Sequence, residues 1–144
     1  WGFYGMAAPA IFEYYQLLDE LAAGKFLTPG WTGSATNLRS IPVDGAQAFH
    51  RRAAAIFDRA EALAEDESLR QCIELERLAV IYAKLNRGAE FIAGLGEDHV
   101  AIIDRFESIA RRANMRRTGY SHSVDQKAAE WRKQVAESSA KNRE

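Results

Sequence analysis

The sequence predicts an all-α protein, a helical bundle of about five helices with one long loop between helices one and two. Apolar residues recur at a spacing near 3.6 in five segments, and no convincing period-two run appears. Hydrophobic residues make up 47% of the chain and charged residues 27%, which is the profile of an ordinary globular protein. At 144 residues the chain fits one domain, predicted to span residues 1–144.

The first helix is predicted over Pro9–Ala23. Proline suits a first helical position, where its missing N–H costs nothing, and Gly24 suits a left-handed cap at the other end. A long loop over residues 25–43 follows, marked by prolines and glycines. Packing of the large apolar side chain of Trp31 would hold this loop in place. The apolar face of this helix is predicted to consist of Ile11, Tyr14, Tyr15, Leu18, Leu21 and Ala22.

The second helix is predicted to begin at Asp44, an N-cap with Gln47 as its capping-box partner. An acidic turn over residues 65–68 ends it and favours the start of the third helix through the helix dipole. The third helix is apolar over a wide arc. Two ends are compatible with the sequence, one at Asn86 and one at Ile92. The predicted apolar stripe of the second helix is Phe49, Ala53, Ile56, Phe57, Ala60, Leu63 and Ala64.

Two further helices complete the predicted bundle. The fourth is predicted over Asp98–Asn114, after two glycines that break the chain. The fifth is predicted to start at Ser123, which forms a capping box with Gln126, and to fray after Ser138. The predicted inward residues are Val100, Ile103, Phe106, Ala110 and Ala113 on the fourth helix, and Val124, Ala128, Trp131 and Val135 on the fifth.

Several classes of function are disfavoured by the composition. A net charge of −1 argues against a general nucleic-acid partner, and no apolar run reaches the ~20 residues that a membrane span needs. The single cysteine, Cys72, excludes an internal disulfide. None of the histidines has a glutamate three residues before it, which argues against a di-iron site. We therefore expect no metal, no cofactor and no catalytic residue in this chain.

One basic cluster stands out, formed by Arg111, Arg112, Arg116 and Arg117. The favoured interpretation is that these cations complement the dipole at the end of the fourth helix. The alternative is a site for phosphate or for an acidic polysaccharide. Glu13, an acid set among aromatic residues, is expected to favour the start of the first helix or to pair with an arginine.

Aromatic residues gather on the first residues of the chain, the first helix and the long loop. Sugars stack on exposed aromatic faces, so this set is a candidate for sugar contact. The favoured interpretation is that the rings form the core and a seam with another domain. The candidate residues for interface or sugar contact are Trp1, Phe3, Tyr4, Tyr14, Tyr15 and Trp31.

Two segments carry a resemblance to a known family. The segment from Phe3 to Leu21, FYGMAAPAIFEYYQLLDEL, resembles the tyrosine-glycine-x-alanine-alanine-proline start of a C-terminal helical region found in uncharacterised bacterial glycoside-hydrolase-like proteins. The segment from Phe57 to Leu85 is similar to a later helix pair of that region. The two matches cover roughly the first 85 residues. In those proteins the helices follow a barrel similar to α-glucuronidases and β-hexosaminidases.

The resemblance implies a non-catalytic accessory domain, the C-terminal part of a larger protein, which packs against a preceding catalytic barrel of the same polypeptide and stabilises it. It also implies that the catalytic residues lie in that barrel, and it favours an extracytoplasmic location. A homodimer and a bound carbohydrate are further possible partners. The alternative is a free-standing helical module for protein–protein interaction or carbohydrate binding.

Overall fold

The computed structural model describes residues 2–23, 41–118 and 122–143. A short 3₁₀ turn at Gly5–Ala7 precedes six α-helices, and within these ranges there is no β-strand. The predicted all-α fold class is therefore confirmed. Most of the predicted loop over 25–43 lies outside the described residues. The helices are α1 (Ala8–Ala23), α2 (Val43–Ala62), α3 (Glu67–Asn86), α4 (Ala89–Gly94), α5 (His99–Arg112) and α6 (Val124–Lys141).

The chain divides into two compact units, and the division falls inside α3. Unit 1 comprises Trp1–Ala83 and unit 2 comprises Lys84–Glu144. Each unit has buried apolar side chains of its own. The single domain over residues 1–144 stays a prediction.

The core of unit 1 forms where α1 packs on α2. The Tyr14 and Phe57 rings lie 4.7 Å apart between centroids, and both side chains are buried. Burying a ring of this size contributes about 2–3 kcal/mol relative to leaving it exposed. The other large apolar side chains buried in this unit are Ile11, Leu17, Ile41, Phe49, Ile56, Ile73, Leu78, Val80 and Ile81.

Three details of α1 and α2 differ from the sequence prediction. Leu63, predicted in the apolar stripe of the second helix, is exposed and lies just past the last helical residue, Ala62. Leu17, not Tyr15, completes the inward face of α1, since Tyr15 is exposed. The predicted capping box at Asp44 is wrong, because α2 begins at Val43 and Pro42 holds the N-cap position without a side-chain hydrogen bond. Asp44 lies inside the first turn, where its charge complements the helix dipole.

A buried arginine ties α3 to α2. The Arg77 guanidinium donates to Asp58 at 2.7 Å and to Glu61 at 3.2 Å, and it lies over the Phe57 ring at 5.9 Å from the centroid. Arginine suits such a site because its planar group bonds carboxylates and stacks on an aromatic face at once. This contact holds α3 beside α2 at one edge of the unit 1 core.

The core of unit 2 is built around Trp131 on α6. Its indole meets the Phe106 ring edge-on at 5.1 Å, and its Nε1 donates to Asn86 Oδ1 at 3.3 Å. Phe91, Ile92, Ile103 and Ile109 are buried in the same unit. Trp131 was predicted to face inward. Phe91 and Ile92 were not predicted because the end of the third helix was open in the sequence, and Ile109 was not in the predicted stripe of the fourth helix.

The ends of the unit 2 helices settle the open boundaries. Helix α3 ends at Asn86, and Gly88, at φ +95°, separates it from the short α4. The capping box of Ser123 and Gln126 is confirmed, with Gln126 N–H donating to Ser123 Oγ at 3.1 Å and Ser123 N–H to Gln126 Oε1 at 2.9 Å. Helix α6 continues to Lys141, so the fraying expected after Ser138 is wrong.

Two residues of the predicted α5 stripe do not face inward. Val100 is exposed near the helix start, and Ala113 lies past the last helical residue, Arg112. Asp98 caps this helix by accepting from the Ala101 N–H at 3.1 Å. None of the helices in the described ranges combines the length and the apolar character that a bilayer crossing requires.

Candidate interaction surface on the N-terminal strip

The N-terminal strip, defined as residues 2–15, exposes an unusual amount of apolar surface. Phe3 and Met6 are 67% and 63% exposed, more than any other large apolar side chain in the described part of the chain. Phe12 and Tyr15 are also exposed, and they share a face of α1 because they lie three residues apart. A concentration of apolar side chains in one segment is typical of an interaction site, whereas scattered ones are not.

A continuous chain of contacts connects the exposed strip to the core of unit 1. Tyr14 packs on Phe57 in the core, and its ring lies 5.7 Å from that of Tyr15. Tyr15 and Tyr4 share a carboxylate on α3, and the Tyr4 ring meets Phe3 edge-on at 5.0 Å. The exposed Phe3 ring is therefore supported by packed groups behind it.

The shared carboxylate belongs to Glu76. Its Oε1 accepts a hydrogen bond from the Tyr4 hydroxyl at 2.9 Å, and its Oε2 accepts one from the Tyr15 hydroxyl at 3.3 Å. Burial first, and then the Glu76 carboxylate, raise the pKa of the Tyr4 and Tyr15 phenols. Both hydroxyls thus keep their protons and remain donors to Glu76 at neutral pH.

The backbone of the strip is fixed by a glycine and a second acid. Gly5 has φ +49°, in the left-handed region, and Ala7 N–H donates to Tyr4 O at 2.9 Å to close the turn. Met6 N–H donates to Glu65 Oε1 at 3.3 Å. A Cβ added at Gly5 would lie 3.0 Å from that same oxygen. Glycine is therefore required here for its left-handed conformation, and a Cβ would also displace the Glu65 carboxylate.

The edge of the strip along α2 is charged. Glu13 forms an ion pair with Arg59, and Glu20, further along α1, pairs with Arg52 at 3.1 Å. The expectation that Glu13 pairs with an arginine is confirmed. Both pairs are exposed, so each contributes no more than about 1 kcal/mol.

The structure brings together three of the six aromatic residues singled out in the sequence. Phe3, Tyr4 and Tyr15 form one group around Glu76. Tyr14 is buried in the core behind them, as expected for a core ring. Trp1 and Trp31 lie outside the described residues.

Sequence reasoning missed Met6, Phe12, Glu65 and Glu76 as parts of this surface. Glu76 had a usable signal, since it lies four residues after Cys72 and three after Ile73, on the apolar arc of α3. An acid on such an arc needs hydrogen-bond donors. Glu65 had no such signal, because it stands in an acidic turn where solvated charge is normal.

The acids that contact the strip are engaged in hydrogen bonds within the chain. Glu76 already accepts a hydrogen bond on each oxygen from a tyrosine, so it is held as an anchor. No group of three or more His, Cys, Asp or Glu side chains among the described residues is arranged to hold a metal ion. Burial lowers the pKa of His99 and Asp98 opposes this, but His99 lies in unit 2, away from the strip in sequence.

Comparisons of the chain with protein-family models, with curated proteins and with solved structures returned no match. The surface of the strip must therefore be interpreted from its own chemistry.

Replacing Gly5 with alanine is expected to lower the free energy of unfolding by about 1–2 kcal/mol, because alanine is strained at φ +49° and its Cβ meets Glu65. Gly2→Ala is the matched control, since nothing lies within 4 Å of a Cβ built there. Urea denaturation of both variants measures the difference. Equal stabilities for the two variants would show that the turn is not fixed as described.

Alkaline pH is expected to destabilise unit 1. Burial raises the pKa of Tyr14, so above about pH 10 the unfolded chain loses this proton while the folded chain keeps it. The free energy of unfolding then falls with pH, by at most about 1.4 kcal/mol per pH unit for this phenol. In Tyr14→Phe the fall between pH 10 and 11 is expected to be shallower than in the wild type. Parallel curves from denaturant titrations would contradict this.

Proposed function

We propose that this chain is a non-catalytic helical accessory domain that packs against a catalytic barrel of the same, glycoside-hydrolase-like polypeptide and stabilises it. The contact is made by the N-terminal strip, with Phe3 and Met6 at its centre. The observation that carries the proposal is the exposure of these two side chains on a backbone that is held in place.

Exposure of this kind costs free energy unless a partner covers it. Burying a side chain such as Phe3 or Met6 contributes roughly 1.5–3 kcal/mol each. Phe12 and Tyr15 extend the same segment. A surface of this composition, with aromatic residues and methionine at its centre and the Glu13–Arg59 ion pair beside it, matches the composition of protein interfaces.

Preorganisation supports docking further. The Tyr4 and Tyr15 hydrogen bonds to Glu76 and the Met6 hydrogen bond to Glu65 hold the strip before any partner arrives. A segment that is already ordered loses less conformational entropy on binding than a disordered one. This favours a permanent contact within one polypeptide, where geometry is fixed by the chain.

A carbohydrate-binding module is the second candidate. It is favoured by the exposed Tyr15 ring beside a carboxylate, since aromatic faces and carboxylates are the groups that hold sugar rings and hydroxyls. Against it, the Tyr4 and Tyr15 hydroxyls already donate to Glu76, so their protons are not available to a sugar. Soluble oligosaccharides that quench no fluorescence and shift no melting temperature would exclude this candidate.

Docking is tested in the longer polypeptide, whose sequence is obtained by reading the gene upstream of Trp1 in frame. In that polypeptide, the double variant Phe3→Ser, Met6→Ser is expected to lower the melting temperature of the barrel by several degrees, because buried apolar contacts are lost. The isolated chain carrying the same changes is expected to melt as the wild type does, since both side chains are exposed in it.

Val43→Ser, Val100→Ser is the matched control, because both valines are exposed but lie outside the strip. It is expected to leave the melting temperature of the barrel unchanged. An equal effect of the two double variants, or a start codon immediately before Trp1, would overturn the proposal.

A further inference from the structure

His99 is the first residue of α5 in unit 2, and its imidazole is closed off from solvent at both nitrogens. Neither nitrogen forms a hydrogen bond with any residue that the structure describes. A neutral imidazole carries one N–H donor and one acceptor nitrogen, so both polar groups of this ring are left unsatisfied. Such groups are rare in native proteins, and each requires an explanation.

The position of His99 disfavours the charged form of its ring for three reasons. Both nitrogens of an imidazolium are donors, and neither has an acceptor among the described residues. Enclosure removes the water that would otherwise solvate the charge. The ring also lies at the N-terminal end of α5, where the helix dipole is positive. Burial accordingly lowers the pKa of His99, and the Asp98 carboxylate opposes this only in part.

The acids nearest to His99 along the chain are engaged elsewhere or exposed. Asp98 is the N-cap of α5 and accepts a hydrogen bond from a backbone N–H of the first turn. Glu97 forms an ion pair with the buried Lys84 at 2.8 Å. On α4, Glu90 lies in the first turn, at the end of that helix that is further from α5 along the chain, and it is exposed.

Helix α6, which packs on α5, presents a second ion pair at the level of His99. The two helices are antiparallel, in a register set by Arg132 and Asp104 at 2.8 Å. This register aligns Glu137 with His99 along the helices. Glu137 approaches Lys133 at 3.9 Å, and both side chains are exposed. Neither neighbouring helix therefore supplies a carboxylate that bonds the enclosed ring.

The first turn of α5 covers part of the unit 2 core. Ile103 lies four residues after His99, on the same face of the helix, and it is completely buried. The chain before α5 turns at Gly96, with φ +72°. Displacement of the His99 ring from this face would therefore uncover an apolar side chain of the core.

We propose that His99 is an acid-sensitive latch: when its ring gains a proton it leaves its enclosed position, and the first turn of α5 opens from the core of unit 2. The open form exposes the ring to water, so it holds the proton more tightly than the closed form does. Histidine is the side chain suited to such a switch near neutral pH. The latch lies in unit 2, so it does not depend on the proposed docking role of unit 1.

The direction of the pH effect follows from the lowered pKa of the closed form. Above about pH 6.5 the ring is neutral in both forms and contributes no pH dependence. Below about pH 6.5 the open form is protonated first, so the equilibrium constant for opening rises as pH falls. One proton gives at most a tenfold rise per pH unit, and the rise ends once the closed form is protonated too.

The test uses the 144-residue chain and amide hydrogen exchange measured by NMR between about pH 6.5 and pH 5.5, where carboxylates of ordinary pKa stay ionised. Each rate is divided by the intrinsic rate at the same pH, so that it reports the opening equilibrium. We expect protection at Ile102 and Ile103 to fall by up to tenfold over this range, while protection in α2 is unchanged.

His99→Phe keeps a ring of similar size without nitrogens, and it is expected to remove this pH dependence. His122→Gln is the matched control, because it removes an exposed imidazole from the same unit, and it is expected to retain the wild-type pH dependence. Should His99→Phe fail to fold, titration of the His99 ring in the wild type gives a second test, with a midpoint expected below pH 6.5. A midpoint at or above pH 6.5, or equal losses of protection in the wild type and His99→Phe, would overturn the proposal.

Discussion

The position of the N-terminal strip depends on one carboxylate, that of Glu76 on α3. It accepts the Tyr4 hydroxyl on one oxygen and the Tyr15 hydroxyl on the other. The first tyrosine belongs to the segment before α1 and the second to α1 itself. One side chain of α3 thus contacts both the entry of the chain and its first helix. With Tyr15 directed to Glu76, Tyr14 is directed to Phe57 in the core.

This constraint explains why the most exposed apolar residues of the described chain lie where they do. The position of the Phe3 ring is determined by Tyr4, against which it packs. The position of Met6 is determined by the left-handed turn at Gly5 and by Glu65, which accepts a hydrogen bond from the Met6 N–H. Water would ordinarily disfavour a fixed presentation of two such side chains. The exposure of these two side chains on a backbone that is held in place is the observation on which the accessory-domain proposal rests.

Much of the fold was predictable from the sequence, because apolar residues recur at a spacing near 3.6 in α1, α2, α5 and α6. The capping box at Ser123 was predictable too, since both partners lie within three residues. The inward turn of Leu17 and the exposure of Tyr15 were not, because periodicity does not show that a tyrosine hydroxyl has a partner on another helix. The end of α3 at Asn86 was open in the sequence, since one glycine in a helix costs only ~1 kcal/mol.

Three aromatic residues of the candidate surface were predictable from the sequence, and the acids that bond them were not. Aromatic residues at the start of the chain drew attention to Phe3, Tyr4 and Tyr15, but Glu76, which accepts from both tyrosines, lies 72 residues after Tyr4 and 61 after Tyr15. Local patterns carry no information about contacts at that separation. The basic cluster was visible in the sequence, whereas the ion pair of Arg111 with Glu107 and the antiparallel bridge of Arg117 with Ser123 were not.

The central claim, that another domain of the same polypeptide covers Phe3 and Met6, is tested most directly by hydrogen–deuterium exchange over residues 2–15. The exchange is compared between this chain alone and the polypeptide that carries the proposed barrel. The account predicts slower exchange in the longer polypeptide over this segment, with no change over α6. Equal exchange in the two proteins would contradict it, because a covered strip cannot open to solvent as readily as a free one.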